Sequence, residues 1–207
     1  MANIGLFGGS FNPVHMGHLI LAEIARTEAK LDQMLFVPAK EPPHKIMRRL
    51  APAEDRLRMT ELAVEDNDYF QISEIELKRE GPSYTLLTVR ELRDRLETGD
   101  NLFLIVGADS VHEMPDWWHA KELVREIPII ALRRPGYPMG NLEKVRAEFG
   151  DEAVEQIQEL AVETPLLQIS STDIRKRIRT GRTIRYLVPD KVRAFILENQ
   201  LYKEAEI

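Results

Sequence analysis

The 207-residue chain contains no cysteine, and this absence removes several kinds of chemistry at once. Disulfide bonds, zinc sites built on thiolates and a cysteine nucleophile are all excluded. No apolar run approaches the roughly 18 residues of a membrane-spanning helix, and the N-terminus lacks the basic region and long apolar core of a secretory signal. We therefore expect a cytoplasmic protein with no membrane partner.

Basic character is also scarce overall, because the formal net charge is -6 at pH 7. This acidic balance argues against a surface built as a whole for nucleic acid. Hydrophobic residues at 43% and charged residues at 30% are ordinary for a globular protein, which argues against a disordered or fibrous chain. No nucleic-acid partner is expected, although a local basic cluster near the C-terminus leaves that alternative open.

Short apolar runs alternate with segments of helical spacing along the whole chain. Such runs are typical of buried strands, and they lie at residues 3–7, 34–38, 101–106 and 128–132, with a shorter one at 70–73. Apolar residues at helical spacing predict helices after the first run, at 52–67 and 84–96, and twice within 171–202. We predict an α/β fold, a Rossmann-like doubly wound parallel sheet with C-terminal helices, in a single domain over residues 1–207.

A glycine-rich segment, GGSFNPVHMGH at residues 8–18, follows the first predicted strand directly. Paired glycines let a backbone approach a phosphate, and the N–H groups at the start of the next helix favour an anion. His15 and His18 are three residues apart, so on a helix both can point at one phosphate. A tight turn, a histidine pair at an ordinary helix start, and a metal site that lacks an apparent third ligand are the alternatives.

A second segment, ISSTDIR at residues 169–175, begins the most basic part of the chain. Ser170 and Asp173 match a capping box, which alone indicates only a helix start. The charge needs another explanation, because six basic residues and no acid lie between Ile174 and Pro189: Arg175, Lys176, Arg177, Arg179, Arg182 and Arg185. Arg175 lies one turn beyond Ser171, so we expect a hydroxyl, unpaired N–H groups and a guanidinium to form an anion site.

A third segment, GADS at residues 107–110, ends the clearest predicted strand. Ligands of open parallel sheets bind beyond the carboxyl ends of the strands. Gly107 permits close packing of a nucleotide there, and Asp109 can accept hydrogen bonds from a ribose or orient a hydrated Mg²⁺ ion. The structural alternative is that Asp109 caps a helix. We expect the three segments to form a cationic cradle for a triphosphate.

These motifs carry a family resemblance. GGSFNPVHMGH is similar to the phosphate-binding signature of the nucleotidyltransferase superfamily, which is related to the HIGH motif of class I aminoacyl-tRNA synthetases, and ISSTDIR is similar to its C-terminal partner. From residue 3 to residue 202 the chain resembles the bacterial nicotinate-nucleotide adenylyltransferases. The further motifs are PPHK at 42–45, SYT at 83–85, GADS at 107–110, MPDWW at 114–118, RRPG at 133–136 and the closing IRYLVPDKV and ILENQLY. Each motif is weak alone, whereas their order together is specific.

The resemblance implies transfer of AMP from ATP to nicotinate mononucleotide, with Mg²⁺ arriving with the ATP. It implies four catalytic residues: His15, His18, Lys45 and Arg175. It further implies ATP binding by Gly8, Gly9, Ser10, Phe11, His15, His18, Gly107, Asp109, Ser170, Ser171 and Arg175, and nicotinate-nucleotide binding by Lys45, Thr85, Trp117, Trp118 and Arg134. The family more usually has tyrosine at the position of Trp118, so a contact through its backbone carries over better than one through its ring.

Several alternatives remain at this stage. Taken without the family, the pair Trp117 and Trp118 indicates core or interface packing. A phosphopantetheine adenylyltransferase shares the first and last motifs, and a nucleotide-binding module without turnover could keep the same fold. The sequence does not decide between nicotinate and nicotinamide mononucleotide, and a homodimer is an open expectation.

Overall fold

The computed structural model describes residues 1–43, 50–133 and 139–203. Strands and helices alternate along these ranges, as the hydrophobic pattern predicts. The strands are β1 (Asn3–Gly9), β2 (Gln33–Pro38), β3 (Phe70–Ile72), β4 (Asn101–Gly107), β5 (Ile129–Arg133) and β6 (Val162–Glu163). The helices are α1 (Met16–Glu28), α2 (Ala53–Val64), α3 (Ile75–Lys78), α4 (Thr85–Arg93), α5 (Ala108–Glu113), α6 (Ala120–Glu126), α7 (Glu143–Phe149), α8 (Asp151–Glu159), α9 (Ser171–Arg179) and α10 (Asp190–Glu198).

The six strands form one sheet in the order β3-β2-β1-β4-β5-β6. Strand β1 pairs with β4 in parallel, β4 with β5, and β5 with β6, with Asn3 opposite Asn101 and Leu104 opposite Ile129. This order is that of a doubly wound nucleotide-binding fold, in which successive strands are added outward from β1 on both sides. The predicted α/β class with a Rossmann-like parallel sheet and C-terminal helices is confirmed.

The central strands are buried in near-continuous runs, which is the pattern of a parallel sheet covered on both faces. In β5, residues 129–132 are all buried, and in β4 Leu104, Ile105 and Val106 are buried. This explains why the sequence identified these strands so clearly. The two-residue strand β6 buries only Val162, and such a short stretch carries no periodic signal.

The chain divides into two compact units. The first contains Met1–Gly8, Leu21–Leu35 and Tyr84–Leu166, and the second contains Gly9–Ile20, Phe36–Ser83 and Leu167–Ile207. The single domain over residues 1–207 stays a prediction.

In the first unit, β1 is packed closely against its own core. A Cβ atom at Gly5 would lie 2.6 Å from Met34 Sδ and 2.8 Å from Leu31 Cδ1, so both side chains would have to move to admit a larger residue. In the second unit, the core contains an aromatic series in which the ring centroids of Phe11 and Phe36 lie 5.7 Å apart and those of Phe36 and Phe70 lie 5.1 Å apart. Helices α2 and α10 pack together in this unit.

Several boundaries differ from those the sequence predicts. Strand β1 continues through Gly8 and Gly9, and helices α2 and α4 end at Val64 and Arg93, a few residues before the predicted ends. Among the described residues, no helix combines the length and the apolar character needed to cross a membrane.

Candidate functional site

In the second unit, the loop that follows β1 has a strained backbone. Phe11 has a φ of 41°, a conformation that non-glycine residues rarely adopt and that usually costs about 1–3 kcal/mol. Its side chain is only 2% exposed, and its ring lies edge-on to that of His18 with the centroids 5.2 Å apart. Packing on both sides of Phe11 therefore holds the loop in one conformation.

The two glycines before this loop are not turn residues. Both end β1, and neither has a positive φ, so their backbone conformation does not require glycine. A Cβ at Gly9 would lie 3.2 Å from the ring of Phe11, whereas a Cβ at Gly8 has no described heavy atom within 4 Å beyond its chain neighbours. The tight-turn interpretation is therefore wrong for this pair. The space beside Gly8 would let a ligand approach its backbone, which gives a reason for glycine at this position.

The two histidines form a reciprocal cap at the start of α1. His15 precedes the first helical residue, Met16, so it does not lie on a helical face as the sequence suggested. The His18 N–H donates to His15 Nδ1 at 3.4 Å, and the His15 N–H donates to His18 Nδ1 at 3.2 Å. This is the pattern of a capping box, made here by two imidazoles whose rings stack with centroids 3.7 Å apart. Because the caps use only the Nδ1 atoms, the Nε2 atoms of His15 and His18 can still contact a ligand.

The protonation of His15 follows from this geometry. The side chain is 6% exposed, and burial lowers its pKa from 6.5 to about 4, against a smaller opposing effect of a backbone hydrogen bond. His15 is therefore neutral at pH 7. Because its Nδ1 accepts a hydrogen bond, the ring proton lies on Nε2. His15 therefore offers a neutral hydrogen-bond donor rather than a charge.

The ISSTDIR segment starts α9 and is bonded to the same loop. Ser170 is the N-cap, and its hydroxyl oxygen accepts a hydrogen bond from the Asp173 N–H at 3.1 Å. The Ser171 hydroxyl donates to the Pro13 carbonyl at 2.9 Å, and Arg175 Nη1 donates to the Asn12 carbonyl at 2.8 Å. The structure thus brings together two of the three segments that the sequence singled out.

The third segment lies in the first unit. Gly107 is the N-cap of α5, and a Cβ there has no described heavy atom within 4 Å beyond its chain neighbours. Asp109 is exposed in the first turn of this helix, so the alternative that it serves as the N-cap is wrong. An exposed carboxylate beside a glycine suits contact with a ligand hydroxyl or a hydrated cation.

The MPDWW motif at residues 114–118 also lies in the first unit, at its surface. Trp118 is 38% exposed and stacks on Tyr84, with ring centroids 4.7 Å apart and an interplanar angle of 18°. Trp117 is half-buried and follows the 3-10 turn Met114–Asp116, where its N–H donates to the Met114 carbonyl at 2.9 Å. Thr85 is the first residue of α4, directly after Tyr84. Neither tryptophan is a buried core residue.

Two of the predicted site residues, Lys45 and Arg134, lie outside the described residues. Within the described ranges, no three His, Asp or Glu side chains come together as a metal-binding group. The roles of the site residues stay predictions, whereas the structure establishes the places of those it describes.

Four residues around the loop that follows β1 were not identified from the sequence. Asn12 and Gly17 lie inside the first motif, but nothing in their spacing indicates a role. Arg56 looks like one more polar residue of an amphipathic helix, and Tyr202 belongs to the closing motif without any chemical hint. Only the three-dimensional contacts place them around the loop: a Cβ at Gly17 would lie 3.0 Å from His15 Nδ1, and the other three residues share hydrogen bonds there.

Comparison with known proteins agrees with this geometry. A model of the family described as cytidylyltransferase-like matches residues 6–177. The probable nicotinate-nucleotide adenylyltransferase of Thermoanaerobacter sp. (strain X514) is 41% identical over 208 residues, which cover 98% of this chain and 95% of the relative. The protein of the same name from Roseiflexus sp. (strain RS-1) is 42% identical over 202 residues, with 98% of each chain covered. The solved Plasmodium falciparum nicotinic acid mononucleotide adenylyltransferase complexed with NaAD shares the fold, with a TM-score of 0.71 at 18% identity and 98% of each chain covered.

The strand order and the glycine-rich loop bonded to α9 define a nucleotidyltransferase of the Rossmann-like α/β class. The predictions of that class and of an enzyme are confirmed. Within it, the chain belongs to the nicotinate-nucleotide adenylyltransferases of the cytidylyltransferase-like family.

Proposed function

We propose that this chain transfers AMP from ATP to nicotinate mononucleotide, forming nicotinate adenine dinucleotide and pyrophosphate in the biosynthesis of NAD. The observation that carries the proposal is the pair of hydrogen bonds that joins the loop after β1 to the start of α9, from Ser171 to Pro13 and from Arg175 to Asn12. They bring the N-terminus of α9, a histidine pair and a guanidinium into one cluster. Such a cluster suits the phosphates of ATP.

The reaction is an in-line displacement at the α-phosphorus. A phosphate oxygen of nicotinate mononucleotide attacks, the bond from the α-phosphorus to the oxygen bridging to the β-phosphate breaks, and pyrophosphate leaves with that oxygen. The nucleophile is a phosphate monoester with a second pKa of ~6, so it is mostly ionised at pH 7 and needs no general base. Catalysis then consists of positioning two anions and stabilising the charge that develops between them.

Positioning and charge stabilisation are supplied by neutral and by charged hydrogen-bond donors. His15 donates from Nε2 as a neutral imidazole, because its pKa of about 4 keeps it uncharged. Positive charge comes from Arg175 and, by the family resemblance, from Lys45. Gly8 and Gly9 let the backbone approach the phosphates, while Ser10, Phe11, Ser170 and Ser171 complete the phosphate site.

A divalent cation, which we propose to be Mg²⁺, accompanies ATP. An exposed carboxylate such as that of Asp109 suits a hydrated magnesium ion, which keeps most of its waters and takes few protein ligands. When bound, the cation neutralises charge on the phosphates and favours departure of pyrophosphate. Asp109 would orient it through water or, alternatively, accept hydrogen bonds from the ribose.

The pyridine nucleotide is assigned to residues of the first unit. Trp117 would stack on the nicotinate ring, with Thr85 and the backbone of Trp118 near its carboxylate. The ring of Trp118 is already stacked on Tyr84, which supports a backbone rather than a side-chain contact for that residue. Arg134 is proposed to bind the same substrate. No nucleic-acid partner is proposed, and the homodimer and the cytoplasmic location stay predictions.

The test measures release of pyrophosphate with ATP and Mg²⁺ in the presence of one of three acceptors: nicotinate mononucleotide, its amide, or phosphopantetheine. We expect the highest kcat/KM with nicotinate mononucleotide. Turnover only with phosphopantetheine would overturn the substrate assignment. A protein that binds ATP but gives no turnover with any acceptor would instead be a nucleotide-binding module.

A matched pair of variants tests the phosphate site. Arg175→Ala removes a guanidinium from the cluster and should lower kcat/KM by about 10² to 10³-fold, the usual loss for one donor of a preorganised anion site. Arg177→Ala is the control, because Arg177 lies on the same helix and pairs with Asp173 at 2.7 Å. Equal losses in both variants would contradict the role assigned to Arg175.

A further inference from the structure

Arg56 is a fully buried cation in the second unit, held by main-chain oxygens. It lies in α2, its side chain is 0% exposed, and its guanidinium donates to four carbonyl groups. The bonds run from Nε to Ala51 at 3.0 Å, from Nη1 to Ser10 at 2.8 Å and to Ala39 at 2.5 Å, and from Nη2 to Lys40 at 3.1 Å. One side chain therefore ties together the loops that follow β1 and β2 and the segment before α2.

Such a site is built for arginine. Burial of a charge is unfavourable unless its hydrogen-bonding groups are satisfied, and here a planar fork satisfies four acceptors at once. Burial lowers the pKa of Arg56, while Tyr202, Glu54 and Glu76 act in the opposite direction. A lysine ammonium is a compact charge with three donors, so it cannot reproduce this set of contacts.

Asn12 receives a second set of restraints on the same loop. Its side chain is 2% exposed, and its Oδ1 accepts hydrogen bonds from the Ala51 N–H at 3.0 Å and from the Tyr202 hydroxyl at 2.9 Å. Tyr202 lies near the C-terminal end of the described chain, beyond α10. The last described turn thus contacts Asn12, whose carbonyl also accepts a hydrogen bond from Arg175.

We propose that Arg56 and Tyr202 are positioning residues for the phosphate-binding loop: they hold the backbone of Ser10 and Asn12 in the geometry that catalysis requires. Phe11, which lies between those two residues, has the strained φ of 41°, so the loop needs restraints on either side. The inference rests on the proposed adenylyl transfer. It assigns both residues an effect on turnover, beyond any effect on stability.

The first test compares Arg56→Lys with Arg58→Lys. Both changes are in α2, but Arg58 is exposed and pairs with Glu61 at 2.8 Å. A displacement of about 1 Å in a preorganised site can cost about 10²-fold in rate, so we expect kcat of Arg56→Lys to fall by roughly 10- to 100-fold. The KM for nicotinate mononucleotide should stay within about 2-fold of the wild-type value, because the substitution removes no contact with that substrate. Arg58→Lys should match the wild type.

The second test uses a smaller change, in case Arg56→Lys does not fold. Tyr202→Phe removes one hydroxyl and leaves the Ala51 N–H on Asn12 Oδ1, so the protein should fold. Loss of one such hydrogen bond corresponds to a decrease in kcat of roughly 3- to 10-fold. Tyr69→Phe is the control, because that ring is 52% exposed.

All rates are divided by the folded fraction, measured by near-UV circular dichroism at the assay temperature. A purely structural role would lower the midpoint of urea unfolding while kcat per folded molecule stays at the wild-type value, and that result would overturn the inference. A wild type without turnover refutes the proposed function, and the inference with it. An active wild type with an unchanged Tyr202→Phe variant refutes the inference alone.

Discussion

The buried imidazole of His15 should make the stability of the protein depend on pH. Its pKa is about 4 in the folded protein and 6.5 in the unfolded chain. Above pH 6.5 neither state binds the proton, so the full contribution to stability is present. Below pH 6.5 the unfolded state binds a proton that the folded state does not, so stability decreases until the pH reaches about 4.

The size of this effect at pH 5 follows from the two pKa values. The unfolded imidazole is then almost entirely protonated and the folded one almost entirely neutral, which favours unfolding by a factor of roughly 30, or about 2 kcal/mol. That loss is a large share of the roughly 5–15 kcal/mol by which domains are stable.

The assay is urea unfolding at pH 7.5 and pH 5.0 of the wild type and of His15→Asn. Asparagine is a favoured N-cap residue, and its Oδ1 can take the place of Nδ1 as acceptor for the His18 N–H, so the cap survives while the titration is removed. We expect the wild type to lose about 2 kcal/mol more than the variant between the two pH values. Equal losses would refute the reasoning, because other carboxylates and histidines titrate in both proteins alike.

Three further substitutions separate ligand effects from folding. Gly8→Ala should leave the unfolding midpoint unchanged, since the new methyl group meets no described atom within 4 Å beyond its chain neighbours. The same change should raise the KM for ATP, and an unchanged KM would contradict the approach of a phosphate to Gly8. Gly17→Ala places a Cβ 3.0 Å from His15 Nδ1 and should lower kcat by roughly 10-fold or more, and full activity would argue against a role for the imidazole position. Trp117→Ala should raise the KM for the pyridine nucleotide and leave that for ATP nearly constant, and equal changes in both would contradict stacking.

The sheet was largely predictable from the sequence because its central strands are buried in near-continuous runs. Runs such as residues 102–106 contain no polar residue, so they indicate central parallel strands without any knowledge of their neighbours. The sequence analysis did not identify helices α7 and α8, in which only Val145 is buried in the first and Val154 and Ile157 in the second. Short elements with so few apolar contacts depend on tertiary packing, which local patterns do not report.

The residue types of the candidate site stay a prediction from the sequence, and their geometry was not predictable from it. The spacing of His15 and His18 indicates that they share a purpose, yet it does not distinguish two residues on one helical face from a reciprocal cap with His15 ahead of the helix. The contacts of Arg56 could not be predicted from the sequence for a related reason. A buried arginine satisfied by carbonyl groups leaves no acidic partner in the sequence, so only the fold identifies it.

The neutral state of His15 also bears on the pH dependence of the reaction. If this imidazole acts as a donor with a pKa of about 4, no decrease in activity near pH 6.5 can come from it. The acceptor's phosphate, with a second pKa of ~6, is then expected to reduce turnover in mildly acidic solution, because protonation removes the nucleophile. The acid limb of kcat/KM for nicotinate mononucleotide should therefore have the same midpoint in the wild type and in His15→Asn, whatever their absolute rates. A midpoint that moves with the substitution would mean that His15 itself titrates in catalysis, and its assignment as a neutral donor would be wrong.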